Sequence, residues 1–296
     1  MNHTPRKLAS LVAITAALLL MGVACSTEPG SATKFNVRPA PSAVKPPAQG
    51  PSSLQGAGRY PWHTNIASTT FWVGELYDAS LADGSQVCST YDSEWAYSWS
   101  GINAGRVSSS AAGCAGAILG GCDGVGGYTD CRTEKRTAAN DYFPTQVTPR
   151  ENPFYLDLPY DDINDSVGFA QRCQVIPWAN DPGYAGKCGD RNFSFMKNRW
   201  VELVGPNGNT CYGQVQDAGP SSGDNYHDAT YVFGSNDARP AQGQWNNAGM
   251  DVSPALNGCL GFASLDGSND RVKWRFVDTP PTGPWTRIVT TSQVNQ

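Results

Sequence analysis

The first pattern along the chain is an uncharged apolar run from Leu8 to Ala24, set behind Arg6 and Lys7 and ending at Cys25. It is shorter than the ~20 apolar residues a spanning helix needs. A basic start, an apolar centre and a small-residue exit predict a secretory signal over residues 1–24. From Ser26 to Gly58 the pattern disappears, and Pro, Ala, Ser and Gly dominate with few large apolar residues. Such a segment cannot bury enough surface to offset its ordering entropy, so residues 26–58 read as a flexible tether.

Beyond Tyr60 the apolar positions take short, mostly alternating runs. Thr69-Thr70-Phe71-Trp72-Val73 predicts a strand, and Phe154-Tyr155-Leu156-Asp157-Leu158 predicts another, stopped by Pro159. Between them a Gly, Ala and Ser stretch from Ser98 to Tyr128 reads as a surface insertion stapled by cysteines. A long loop with Pro177 and Pro182 runs to Ser194. Trp200-Val201-Glu202-Leu203-Val204 alternates, Gly205–Asn209 turns, and Cys211–Asp217 returns, together a β-hairpin. Val272–Val277 is a last alternating strand, and Ser253-Pro254 can start one short helix. Few helical periods and no internal repeat predict one all-β domain over residues 60–296, carrying long insertions.

Composition sharpens the address. The exit Met21-Gly22-Val23-Ala24-Cys25 resembles a bacterial lipobox, which implies lipidation of Cys25; Gly22 stands where a large apolar residue is usual, and ordinary cleavage to a soluble secreted protein is the alternative. Of nine cysteines, setting Cys25 aside leaves an even set, which in an exported chain reads as a disulfide framework. The short closures expected are Cys122 with Cys131 and Cys173 with Cys188. No pair has zinc-finger spacing and only His63 and His227 follow the signal, so no metal and no cofactor are expected. Removing Arg6 and Lys7 takes the basic count from 21 to 19 against 26 acids, a net of −7, with no basic stripe for nucleic acid.

The ordered set of late segments resembles the double-psi β-barrel superfamily, which includes rare lipoprotein A, expansins, barwin-like proteins, family-45 endoglucanases and MltA-type lytic transglycosylases. TTFWVGE resembles its opening strand and WVELVGPNGNTCYGQVQDAGP its strand-turn-strand ending in an Asp-x-Gly-Pro corner. GMDVSPALNGCLGF resembles its strand-to-helix element, and VKWRFV its closing strand. The resemblance spans Thr69 to Val277 and is dense from Trp200 onward. It implies a six-stranded double-psi β-barrel with disulfide-stapled loop insertions.

The same resemblance places the candidate chemistry. Asp251 matches the aspartate that acts as general acid in the endoglucanases and transglycosylases, a carboxyl kept protonated by burial. The plainer reading is a cap on the helix starting at Pro254. Asp217, in the Asp-Ala-Gly-Pro corner, matches a functionally important aspartate of rare lipoprotein A, or else braces the corner through backbone hydrogen bonds. The endoglucanases' second carboxylate aligns with Val73 here. Glu75, two residues on and on the same strand face, is the substitute, with Asp157 as fallback. His227 and Tyr226 are candidates for orienting or stacking on substrate, and Trp72, Trp95, Trp99, Trp178 and Trp245 for stacking on sugar rings. Trp200 and Trp274, within alternating strands, are expected in the core. The acidic run Asp157–Asp165 lacks the spacing of a calcium loop and reads as solvated loop acids.

Together these features predict an exported, membrane-anchored or secreted protein facing the periplasm or extracellular space. Its expected partner is a polysaccharide (peptidoglycan or β-glucan), cleaved in a glycosidase or lytic-transglycosylase manner. The alternatives are a non-catalytic, expansin-like carbohydrate-binding module and a structural envelope lipoprotein.

Overall fold

Only one parity of Trp200–Val204 is suited to burial, and that parity lines the interior of the fold. In the computed structural model, residues 59–73, 84–86, 88–101, 119–120, 135–145, 147–221, 225–234, 238–241, 243, 245–265 and 267–296 are described. Val201 and Leu203 point inward and are fully buried, while Trp200, Glu202 and Val204 lie half-buried on the outside. Trp200 therefore departs from its expected core position because the two aliphatic residues take the inward parity. Trp274 is in the core as expected.

The described strands are β1 (His63–Thr70), β2 (Gly84–Ser85), β3 (Leu119–Gly120), β4 (Tyr155–Leu158), β5 (Trp200–Val204), β6 (Thr210–Ala218), β7 (Ala248–Val252) and β8 (Arg271–Val277). Six of them close a barrel in the order β1-β7-β4-β6-β5-β8, and β2 with β3 forms a separate ladder. β1 runs parallel to β7 and β4 parallel to β6; the other neighbours are antiparallel. Closure leaves no unpaired sheet edge in the wall. The interior is filled by Ile66, Leu156, Leu158, Val201, Leu203, Val215, Met250, Val252, Val272 and Trp274 among others.

The expected hairpin is present: β5 pairs with β6 from Trp200 opposite Gln214 to Val204 opposite Thr210. Gly208 in its turn has φ of 80°, a left-handed conformation that favours glycine. β1 begins earlier than predicted and stops at Thr70 rather than Val73. Its parallel partner β7 ends at Val252, after which Ser253 opens a helix, so beyond Phe71 the chain leaves β7 and Val73 bridges Gln86 instead. Trp72 and Val73 are instead buried outside that strand.

Among the described residues four α-helices accompany the barrel: α1 (Trp95–Ser100), α2 (Ser166–Val175), α3 (Ala229–Val232) and α4 (Pro254–Leu260). α4 is the predicted short helix, with Pro254 in its first turn and the Ser253 hydroxyl accepting the Leu256 N–H. α2 was hidden in what reads as a loop. Its residues carry little amphipathic pattern, and it is set by Asp165, whose carboxylate accepts the N–H groups of Val167 and Gly168.

Cys173 is bonded to Cys188, as expected, and Cys211 of β6 to Cys259 of α4. Cys88 is also disulfide-bonded; Cys122 and Cys131 lie outside the described residues. These bonds fit an oxidising compartment reached by export. No helix among the described residues is long and apolar enough to cross a membrane. The signal, Cys25 and the tether lie outside the described residues.

Candidate acid cluster

Three neighbouring strands, β7, β4 and β6, each bring one aspartate to the same place. Asp157 of β4 is the register partner of Asp217 on β6. On the other side Leu156 pairs with Val252, which puts Asp251 of β7 beside Asp157. Leu156, Leu158, Met250 and Val252 all fill the barrel interior. Strand alternation therefore turns Asp157 and Asp251 to the outer face of the wall. Tyr155 shares that face, packed in a second apolar cluster with Val73, Cys88, Trp95, Ala96 and Trp99.

The three carboxyls have different partners. Oδ1 of Asp157 accepts the backbone N–H of Asp251 at 2.7 Å. Oδ1 of Asp217 accepts the N–H of Thr90 at 2.7 Å and that of Ala218 at 2.8 Å. Oδ1 of Asp251 is buried and has no hydrogen-bond partner among the described residues. The helix-capping role open to Asp251 from sequence belongs to Ser253. Gly219, two residues after Asp217, is closely packed, since a Cβ there would lie 2.7 Å from Oδ2 of Asp157.

Asp157 and Asp217 are buried and Asp251 is half-buried with its Oδ1 shielded, and this loss of water disfavours charge on all three groups. Desolvation, reinforced by the Asp217 charge, pushes Asp251 up to about 7. Desolvation also pushes Asp217 up to about 7, against the opposing pull of the Thr90 and Ala218 N–H groups. Asp157 is raised well above its ordinary 3.8 by desolvation and by the charges of Asp251 and Asp217. Carboxyls this close titrate as a set, so the cluster holds protons near neutral pH while retaining a carboxylate. That combination can donate one proton and accept another.

The acidic run differs from the sequence expectation of solvated loop acids. Asp161 and Asp162 are buried and serve as backbone clamps. Asp161 accepts from Ile163 N, Asn164 N and the Thr90 hydroxyl, each at 2.8 Å. Asp162 accepts from Ser194 Oγ and Phe195 N, and lies against the buried Arg172.

The remaining candidates disperse. Trp72 is fully buried, as are Trp95, Trp99 and Trp178, so none of these rings offers a free face for a sugar. Trp245 is 62% exposed and opens a run of three left-handed residues, Trp245, Asn246 and Asn247, just before β7. His227 is half-buried with Nδ1 3.1 Å from Oδ2 of Asp165, the residue that caps α2. Tyr226 is half-buried, and its carbonyl accepts the Asp161 N–H. Glu75 lies outside the described residues. No group of three or more His, Cys, Asp or Glu among the described residues is arranged to hold a metal ion.

Thr90 carries no sequence signal for its part in this cluster. It lies 127 residues from the aspartate it touches and contributes a backbone N–H, which any residue other than proline supplies. Compared with known proteins, the chain matches no family model and no curated protein.

Proposed function

We propose that this chain is an exported, lipid-anchored protein with a double-psi barrel that cleaves envelope or extracellular polysaccharide by acid catalysis at Asp251. The observation that carries the reading is the state of that carboxyl. Its Oδ1 is buried without a hydrogen-bond partner among the described residues, and the group is pushed up to about 7. A carboxyl so placed is protonated over much of the neutral range and has an oxygen not committed to the protein. Two parallel pairs in a closed six-stranded wall support the barrel type.

In the proposed reaction Asp251 passes its proton to the glycosidic oxygen as the bond from that oxygen to the anomeric carbon breaks. Asp217, as carboxylate, takes a proton from the group that attacks the anomeric carbon. That group is water in hydrolysis or a hydroxyl of the sugar itself in a transglycosylase. Asp157 does not exchange protons with substrate in this scheme; it holds the Asp251 backbone.

A second reading, an expansin-like module that grips glycan without cutting it, draws on the exposed ring of Trp245 and on the bracing bonds of Asp217. Protein lacking residues 1–58, incubated with peptidoglycan and with β-glucans, separates the two. Release of sugar that disappears in Asp251→Asn supports acid cleavage, and the mass of the product distinguishes hydrolysis from intramolecular transfer. Binding with no release from any substrate removes the enzyme reading. Release that survives Asp251→Asn removes Asp251 as the acid.

A further inference from the structure

The last residues of the chain are laid along the outside of β6 and end at the acid cluster. Gln214 of β6 receives Thr290 on both sides: its Oε1 accepts the Thr290 N–H at 2.9 Å, and its Nε2 donates to the Thr290 carbonyl at 3.0 Å. Lys197 Nζ then donates to Ser292 Oγ and the Gln293 carbonyl, and Ser292 Oγ donates to Glu151. Asn295 pairs through its backbone with the loop at 89–93, donating to the Tyr91 carbonyl and accepting from the Ser93 N–H, both at 2.8 Å. Its side chain donates to Asp92. Gln296 Nε2 donates to the Thr90 carbonyl at 3.0 Å and to Oδ1 of Asn164 at 2.9 Å.

The Thr90 peptide is therefore gripped on every polar side. Its own carbonyl accepts from Gln296 and from Asn164 Nδ2 at 2.8 Å, and its hydroxyl donates to Asp161. The group left facing the cluster is its N–H, which points at Oδ1 of Asp217. The other N–H on that oxygen comes from Ala218, the next residue along β6, and is local. The Thr90 bond is the one that depends on distant chain.

We infer that residues 290–296 form a positioning strap for Asp217: through Asn295 and Gln296 they hold the Thr90 N–H against Oδ1 and so maintain Asp217 as the carboxylate partner of Asp251. This rests on the acid–base reading above for its function, though not for its structural content. The physical reason is that an N–H donor stabilises the charged form of the oxygen it meets. Burial, and after it the charge of Asp161, oppose that influence on Asp217; Asp157 on β4, Asp251 on β7 and Tyr91 in the flanking loop face it and are themselves pushed up by its charge. Loosening the strap leaves the Asp161 charge in place and weakens the pull of the Thr90 N–H, so the midpoint rises as long as Asp217 stays shielded from water.

The test is a carbon-13 NMR titration of the carboxyl groups in the otherwise intact chain, comparing the wild type with Gln296→Ala and with deletion of residues 294–296. Hydrogen exchange at the Thr90 N–H is measured in parallel. The strap predicts faster exchange at Thr90 and an upward shift of the Asp217 midpoint by about one unit in the deletion, less in Gln296→Ala. Asp278, bonded instead to Tyr60 and Arg199, serves as the internal control and should not move. An unchanged Asp217 midpoint with exchange at Thr90 accelerated overturns the inference, as does unchanged exchange. Should the deletion fail to fold, Gln296→Ala, which removes only two hydrogen bonds, carries the same two readouts. Neither readout needs a substrate. A shifted Asp217 midpoint in a protein that releases no sugar keeps the strap and removes the enzyme reading.

Discussion

Oδ1 of Asp157 accepts the backbone N–H of Asp251 at 2.7 Å, so one acid of the cluster holds the strand position of another. Two substitutions separate its geometric role from its charge. Asn at 157 can still present an oxygen to that N–H, whereas Ala cannot. Asp157→Asn should keep Asp251 in place and leave the upper limb of the activity–pH profile where it is, because Asp157 is itself pushed up by the Asp251 and Asp217 charges and is neutral while Asp251 titrates. Asp157→Ala should cost about 10- to 100-fold in rate, the scale of a small misplacement of a catalytic group. Equal loss in both variants at every pH would contradict this division.

Replacing the proposed acid itself should act in opposite directions on rate and on stability. Asp251→Asn removes the transferable proton, for an expected loss of about 10²- to 10⁴-fold in glycan release with glycan binding retained. It also removes a buried charge crowded by Asp217, so the variant should melt at a higher temperature than the wild type above about pH 8. Calorimetry on the two proteins at that pH reads the sign directly.

The pH dependence of stability follows from the same groups. Asp217 and Asp251 titrate near about 7 in the fold against an ordinary 3.8, so between those values the native state binds more protons than the unfolded chain. Stability therefore falls as pH rises through that window, and is higher near about pH 6 than near about pH 8. His63 works the other way on the acid side. Buried and stacked at 3.9 Å on Trp274, it is held below its ordinary 6.5 by desolvation, so its contribution is lost as pH falls below that value. Thermal midpoints should rise on acidification from about pH 8 and rise less steeply below about pH 6, where one histidine opposes two acids. A slope of the reverse sign above about pH 7 would show that the acids are not buried as described.

Gly219 is a packing requirement at the cluster. A methyl at this position would sit 2.7 Å from Oδ2 of Asp157, closer than carbon and oxygen tolerate. Gly219→Ala should cost about 1–3 kcal/mol in stability and reduce glycan release by about 10-fold or more through displacement of Asp157. Denaturant unfolding and the release assay together distinguish this from a neutral corner.

The Cys211–Cys259 bond ties β6 to α4 across a separation of 48 residues. Replacing both by Ser should lower stability by about 2–5 kcal/mol, the usual scale for a native crosslink. Since α4 directly follows the strand that bears Asp251, activity should fall at temperatures where the global fold persists. Unfolding curves and rates at two temperatures provide the check.

Local pattern carried much of the wall of this fold. The hairpin at 200–218, the strand at 154–158, the short helix behind Ser253-Pro254 and the Cys173–Cys188 bond are all written in alternation, turn residues and short spacing, which act between near neighbours in the chain. Asp217 and Asp251 were identifiable as candidates for a related reason, since each sits in a distinctive corner or strand-to-helix element. Tertiary structure alone decided the rest. The parallel pairing of β4 with β6 and the contact of β4 with β7 make Asp157 their neighbour, and the chain packed over that outer face makes burial, rather than residue type, set the charge of the acids. Packing against Tyr155 on that outer face buries Trp95 and Trp99, and Gln296 reaches Thr90. Bonds made by backbone N–H groups across more than a hundred residues leave no mark on side-chain pattern, and for that reason the grip on Asp217 could be read only from the folded chain.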